Sequence, residues 1–92
     1  MIETEHGNFE IIKEHKDAFD LKAFNERYID YLDKYVYIVG DISAEMLRLK
    51  GFSQKGYDNI GDYLMESTSL NTPYYILKRL DEPKVETDEE KE

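Results

Sequence analysis

Cysteine is missing from the sequence altogether, which excludes disulfides, thiolate chemistry, iron–sulfur clusters and cysteine-based zinc sites together. Histidine is almost as scarce. His6 and His15 are the only two, their spacing gives no shared ligation, and no His-Glu ligand motif accompanies them, so no metal and no other cofactor is expected. The five glycines form no glycine-rich phosphate loop. Nucleophile–base pairs and paired carboxylates are also wanting, which leans against catalysis. No apolar run approaches the ~20 residues needed to span a bilayer. Met1 to Gly7 is acidic and lacks the apolar core of a secretory signal, so a cytoplasmic protein is expected.

Positive charge is the minority sign: 21 acids face 12 Lys and Arg, for a net charge of −9 over 92 residues. Phosphate neutralisation supplies most non-specific nucleic-acid affinity, so this balance argues against a general nucleic-acid binder. The distribution is uneven, however. Residues 81–92 carry seven acids and two lysines, and residues 1–45 carry 11 acids and five bases. Residues 46–80 reverse the sign, with Arg48, Lys50, Lys55, Lys78 and Arg79 against three acids. A local basic patch is therefore expected.

What the chain does contain is 40% hydrophobic residues, including eight Tyr and four Phe, a globular composition. Residues 1–80 are expected to form a single α+β domain and residues 81–92 a disordered acidic tail. The organising stretch is Tyr35 to Phe52. Two β-branched and aromatic runs flank a polar break there, which predicts a hairpin with Gly40 and Gly51 as bends or bulges.

Ahead of it, Phe9 and Ile11 alternate with Glu10 in a first strand over 8–14. Asp20 is a good helix N-cap, with Phe19 and Phe24 at the two positions of a hydrophobic staple. Leu21, Phe24, Tyr28, Tyr31, Leu32 and Tyr35 follow at helical spacing and predict a helix over 21–34. Beyond the hairpin, Asp58 or Asn59 caps a second helix over 60–67, and Tyr74 to Leu80 is the last strand. The order β-α-β-β-α-β predicts a four-stranded antiparallel sheet with both helices on one face, ferredoxin-like in topology. Val36, Ile38, Leu47 and Leu49 should then face the helices. Tyr37, Val39, Arg48, Lys50 and Phe52 should lie on the open face.

At Arg27-Tyr28, Leu32-Asp33-Lys34-Tyr35, Tyr37-Ile38-Val39-Gly40-Asp41 and Leu47-Arg48-Leu49-Lys50-Gly51-Phe52, the chain resembles the YutD-like family of small uncharacterised proteins from Gram-positive bacteria. Val36 stands where the family pattern has Asp, and Ile42 where it has an aromatic residue. Cysteines found near Ser69 to Pro73 in comparable members are absent, so no metal or redox role carries over. The resemblance implies a bacterial cytosolic protein and supplies no catalytic residues.

The candidate binding residues are Tyr37, Asp41, Arg48, Lys50, Phe52, Lys78 and Arg79. Aromatic rings and Arg anchor protein interfaces, so the expected function is a non-catalytic interaction or regulatory module. Its open sheet face would take a protein partner or a second copy. The alternative is RNA or a ribosomal particle on the Arg48, Lys50 and Phe52 patch, with bases stacked on open rings. An enzyme centred on Asp41 is the weakest expectation. The structural alternative is that Asp41 organises the hairpin turn and that Arg48 and Lys50 pair with acids such as Asp41.

Overall fold

Five segments of alternating or continuous apolar character form strands: β1 (Ile2–Thr4), β2 (Gly7–His15), β3 (Tyr37–Ser43), β4 (Met46–Phe52) and β5 (Tyr74–Arg79). Helix α1 (Leu21–Arg27) lies between β2 and β3, and helix α2 (Asn59–Ser67) between β4 and β5. The computed structural model describes residues 1–67 and 71–81. The tail expected over 81–92 therefore lies, apart from Asp81, outside the described residues. Asp81 itself is anchored, its carboxylate accepting from the backbone N–H of Asn8 at 2.7 Å.

The strands form one antiparallel sheet in the order β1-β2-β5-β3-β4. The α+β class stands, but the sheet has five strands rather than four and its order is not ferredoxin-like. A ferredoxin-like sheet keeps its last strand at an edge. Here β5 is inserted between β2 and β3. Tyr75, Ile76 and Leu77 are consecutive and all buried, and only a central strand covers side chains on both faces.

The additional strand, β1, comes from the acidic N-terminus. The hydroxyl of Thr4 accepts from the His6 N–H at 2.9 Å and donates to the Gly7 carbonyl at 2.8 Å, closing a tight turn that pairs Ile2 with Phe9.

Asp20 begins α1 as expected, accepting from the N–H groups of Lys22 and Ala23 at 3.0 and 3.3 Å, and the Phe19 and Phe24 rings meet at 5.9 Å. The helix does not continue to residue 34. It ends at Arg27, Tyr28 is extended, and a 3-10 turn over Asp30–Lys34 follows. Phe24, Tyr28 and Leu32 still reach the core, so the apolar spacing is satisfied by the broken helix as well.

The β3–β4 turn is the two-residue Ala44-Glu45, with φ of 53° and 65°. Positive φ at both positions matches the twist of the flanking strands. Gly40 and Gly51 are neither bends nor bulges: they sit in register opposite Leu49 and Ile38. A Cβ on Gly40 would overlap the Tyr75 ring, and one on Gly51 the Tyr35 ring. Each glycine is the space that an aromatic ring fills.

The helices lie on opposite faces of the sheet, which corrects the one-face expectation. Phe9, Phe24, Tyr28, Leu32, Ile38, Tyr75 and Leu77 form the core under α1, with Leu47 and Leu49 packed at its rim. Tyr37, Val39, Phe52, Ile60 and Ile76 form a second core under α2, joined by Val36, Tyr63 and Leu64. Val36 precedes β3, so strand alternation does not hold it beside Ile38.

Candidate interaction surface

The hairpin register sets Tyr37 opposite Phe52, Val39 opposite Lys50 and Asp41 opposite Arg48. Tyr37, Asp41, Arg48, Lys50 and Phe52 are therefore brought together on one sheet face, as expected. That face is not open. Ile60, Tyr63 and Leu64 of α2 cover it, leaving Tyr37 and Phe52 each 9% exposed. The rings that were to stack on bases or a partner are core residues.

Asp41 is fully buried. One carboxylate oxygen accepts from the Ser43 hydroxyl at 2.9 Å and from Arg48 Nε and Nη2 at 2.9 and 2.8 Å. The other accepts from the Tyr63 hydroxyl at 3.3 Å. The carboxylate thus ties β3, β4 and α2 together, and hydrogen bonding to it, reinforced by its charge, raises the Arg48 pKa. The Asp41–Arg48 pairing matches the structural alternative read from sequence, but the turn that Asp41 was to organise lies two residues further on, at Ala44-Glu45. Around the carboxylate the cluster therefore gathers two hydroxyls, Ser43 and Tyr63, and one guanidinium, Arg48.

Lys50 is exposed, its ammonium 5.7 Å from the Phe52 ring centroid and 6.0 Å from that of Tyr63. Lys78 shares the face but stands on β5, opposite Glu10 of β2.

Arg79 belongs elsewhere. It points to the α1 face, is 7% exposed, and lies over the Phe9 ring at 4.8 Å. Its Nε donates to the Tyr35 carbonyl at 2.9 Å and its Nη1 to the His6 carbonyl at 3.3 Å. Its Nη2 donates to the Tyr28 hydroxyl at 2.7 Å and the Leu32 carbonyl at 3.0 Å. This guanidinium explains the broken helix, because the chain after Arg27 must turn its carbonyls inward to reach it. Tyr28 passes the interaction on, donating to Asp33 at 2.6 Å while the His6 ring stacks on it at 4.1 Å. Burial, then the hydrogen bond to Asp33, pushes the Tyr28 pKa up to about 12, against the opposing pull of Arg79. Beside the guanidinium lies a cleft of about 360 Å³ lined by Glu5, His6, Asp30, Asp33 and Asp81. Among the described residues no group of three or more His, Asp or Glu side chains could hold a metal ion.

A different surface emerges at the outer edge of β4. With a two-residue turn, Ser43 and Met46 exchange backbone hydrogen bonds, so Arg48, Lys50 and Phe52 direct theirs toward β3. Leu47, Leu49 and Gly51 direct theirs away from the sheet, where no described strand pairs with them. The Tyr35 ring lies against Gly51, and its hydroxyl meets that of Tyr31, which is 59% exposed, at 2.9 Å. The Lys34 ammonium lies 4.9 Å from the Tyr31 ring and 5.5 Å from the Tyr35 ring. The helical spacing implies that Tyr31 and Tyr35 are core residues with their hydroxyls at the rim; Tyr35 does pack against the α1 core, whereas Tyr31 is exposed. The signal that could have found this edge is the polar Arg48, Lys50 alternation of β4, which fits an edge strand as well as an open face.

The fold and this surface define a small α+β protein with one helix on each face of a five-stranded antiparallel sheet. The chain belongs to the YutD-like family: a family model described as "Putative antitoxin YutD-like" matches residues 3–78. It is 38% identical over 89 residues to "Putative antitoxin YutD" of Bacillus subtilis strain 168, covering 87% of this chain and 98% of that protein. It is also similar to the solution NMR structure of protein yutD from B. subtilis, with a TM-score of 0.76 and 36% identity over 92% of this chain and 86% of that one. Among the described residues, no helix is long and apolar enough to cross a membrane.

Proposed function

We propose that this chain is a non-catalytic, protein-binding module of the antitoxin kind, and that its contact surface is the β4 edge. The observation that carries this reading is the coincidence of a seven-residue strand whose outer edge no described strand covers with exposed Arg48 and Lys50 on it and exposed Tyr31 on the α1 side. Exposed aromatic rings and Arg are the residues that anchor interfaces. The family description supports it, since an antitoxin in the ordinary sense acts by holding a toxin. Tyr37 and Phe52 contribute indirectly, by fixing α2 and β4. RNA binding through stacked bases has no support here, because the rings it needs are covered.

The test is quantitative co-purification from a Gram-positive host of the wild-type chain, of Tyr31→Ala with Lys50→Ala, and of Glu3→Ala on the distant strand β1. The expected outcome is a protein retained by the wild type and by Glu3→Ala, lost from the double variant, and insensitive to ribonuclease. Identical recovery from all three, or a partner released by ribonuclease, overturns the proposal.

A further inference from the structure

Resting on that protein-binding reading, we infer that the partner docks as an extended acidic segment that adds to β4 as a sixth, antiparallel strand. The other edge of the sheet is poorly suited to this. There β1 is three residues long, and the β2 ladder slips between Ile11 and Lys13, both of which discourage further pairing. β4 is regular along all seven residues. The outward N–H and C=O groups of Leu47, Leu49 and Gly51 offer a new strand a ladder with no rearrangement of the fold.

Charge selects the occupant. In an antiparallel pair, residues directly opposite share a face. Residues of the added strand opposite Lys50 meet an exposed ammonium, and those opposite Arg48 meet a guanidinium that holds Asp41 yet leaves its side chain 46% exposed, so carboxylates fit there, Lys50 carrying the greater share. Residues opposite Leu47, Leu49 and Gly51 point to the α1 face. Beside Leu47 they find an open groove of about 390 Å³ between α1 and β4, lined by Ala23, Glu26, Arg27, Glu45 and Met46. An apolar side chain fits against Ala23 and Leu47. A second copy of the chain is disfavoured: the symmetric register centred on Leu49 sets Arg48 opposite Lys50 of the other copy, and the one centred on Arg48 sets Arg48 opposite itself. The segment therefore alternates acidic and apolar residues.

Hydrogen-bond direction and side-chain face are locked together in such a ladder, which gives a test that leaves the protein unaltered. The residues opposite Leu47, Leu49 and Gly51 use their N–H groups on β4, and those opposite Arg48 and Lys50 turn theirs to solvent. Full-length ¹⁵N-labelled protein is titrated with a capped peptide of alternating Glu and Val, with the same peptide N-methylated at every Val or at every Glu, and with Lys replacing Glu. The expected result is a shift of the Leu47, Leu49 and Gly51 amides. Methylation at Val should weaken binding by about tenfold or more, as loss of ladder hydrogen bonds requires, with methylation at Glu tolerated and the Lys peptide far weaker. Equal affinity of the two methylated peptides, equal affinity of the Lys peptide, or no response of those amides overturns strand addition. If that happens while Tyr31→Ala with Lys50→Ala still loses its protein partner, the protein-binding reading stands and only the mode of docking fails.

Discussion

Arg79 holds a guanidinium almost out of contact with water and satisfies it with three carbonyls and one phenol rather than with a carboxylate. A buried charge is tolerated only where hydrogen bonds replace its hydration. The nearest acid in the network, Asp33, acts through the Tyr28 hydroxyl. That hydroxyl must keep its proton to donate to Asp33, which gives the network a pH limit. An unfolded tyrosine ionises near pH 10, whereas in the folded protein the Tyr28 pKa stands at about 12. Below the lower value both states are protonated and the contribution is fully present. Above it the unfolded chain releases the proton first, so stability falls as pH rises toward the upper value. Tyr75, raised chiefly by burial and then by Asp20 and Asp41, acts in the same sense. Urea denaturation across this alkaline window should show stability falling less steeply in Tyr28→Phe than in the wild type, though that variant starts from a lower value. Equal slopes would mean that Tyr28 does not titrate differently in the two states.

At the scale of elements, local chemistry was legible and long-range placement was not. The Asp20 cap, the Phe19–Phe24 staple, the strand runs and the second helix are all decided within a few residues, and sequence carries them. The run Tyr74-Tyr75-Ile76-Leu77 marks β5 as a strand covered on both faces, but not which strands flank it, and the β2-β5-β3 order is set by long-range pairing. The side taken by α2 did leave a trace. Tyr37, Ile38 and Val39 are consecutive apolar residues, the pattern of a strand covered on both faces, yet the charges of β4 suggested a bare surface. Those charges mark an edge instead: Arg48 and Lys50 share the α2 face with buried Tyr37 and Phe52 and reach solvent because β4 is the last strand. The break after Arg27 was hidden because Phe24, Tyr28 and Leu32 keep the four-residue spacing of a continuous helix although Tyr28 is extended and only Leu32 lies in the 3-10 turn. Helix α2 also yields a prediction. Gly61 is exposed, and an added Cβ there meets nothing within 4 Å. Gly61→Ala should stabilise the protein by about 1 kcal/mol through helix propensity alone. A raised urea midpoint with an unchanged denaturant slope is the check, and no gain would mean that α2 is fixed by packing irrespective of its own helicity.

For the molecule as a whole, the covered α2 face changes what the chain must avoid. An open aromatic sheet would have called for a partner or a second copy to hide it. With a helix on each face, the exposed liability is the β4 edge, and edge cations are a recognised device against edge-to-edge pairing. The device can be inverted by one residue. In the symmetric register centred on Leu49, Arg48 lies opposite Lys50 of the second copy, and two-fold symmetry repeats the clash. Lys50→Glu replaces both repulsions with Arg–Glu pairs while the backbone ladder is already in place. The wild-type chain should therefore sediment as a 10.9 kDa monomer. Lys50→Glu should show concentration-dependent growth toward twice that mass, weakening as added salt screens the new pairs. Sedimentation equilibrium at low and high ionic strength decides the matter. A variant that stays monomeric at every concentration would mean that the cations do not keep the edge single, and something other than charge must guard β4.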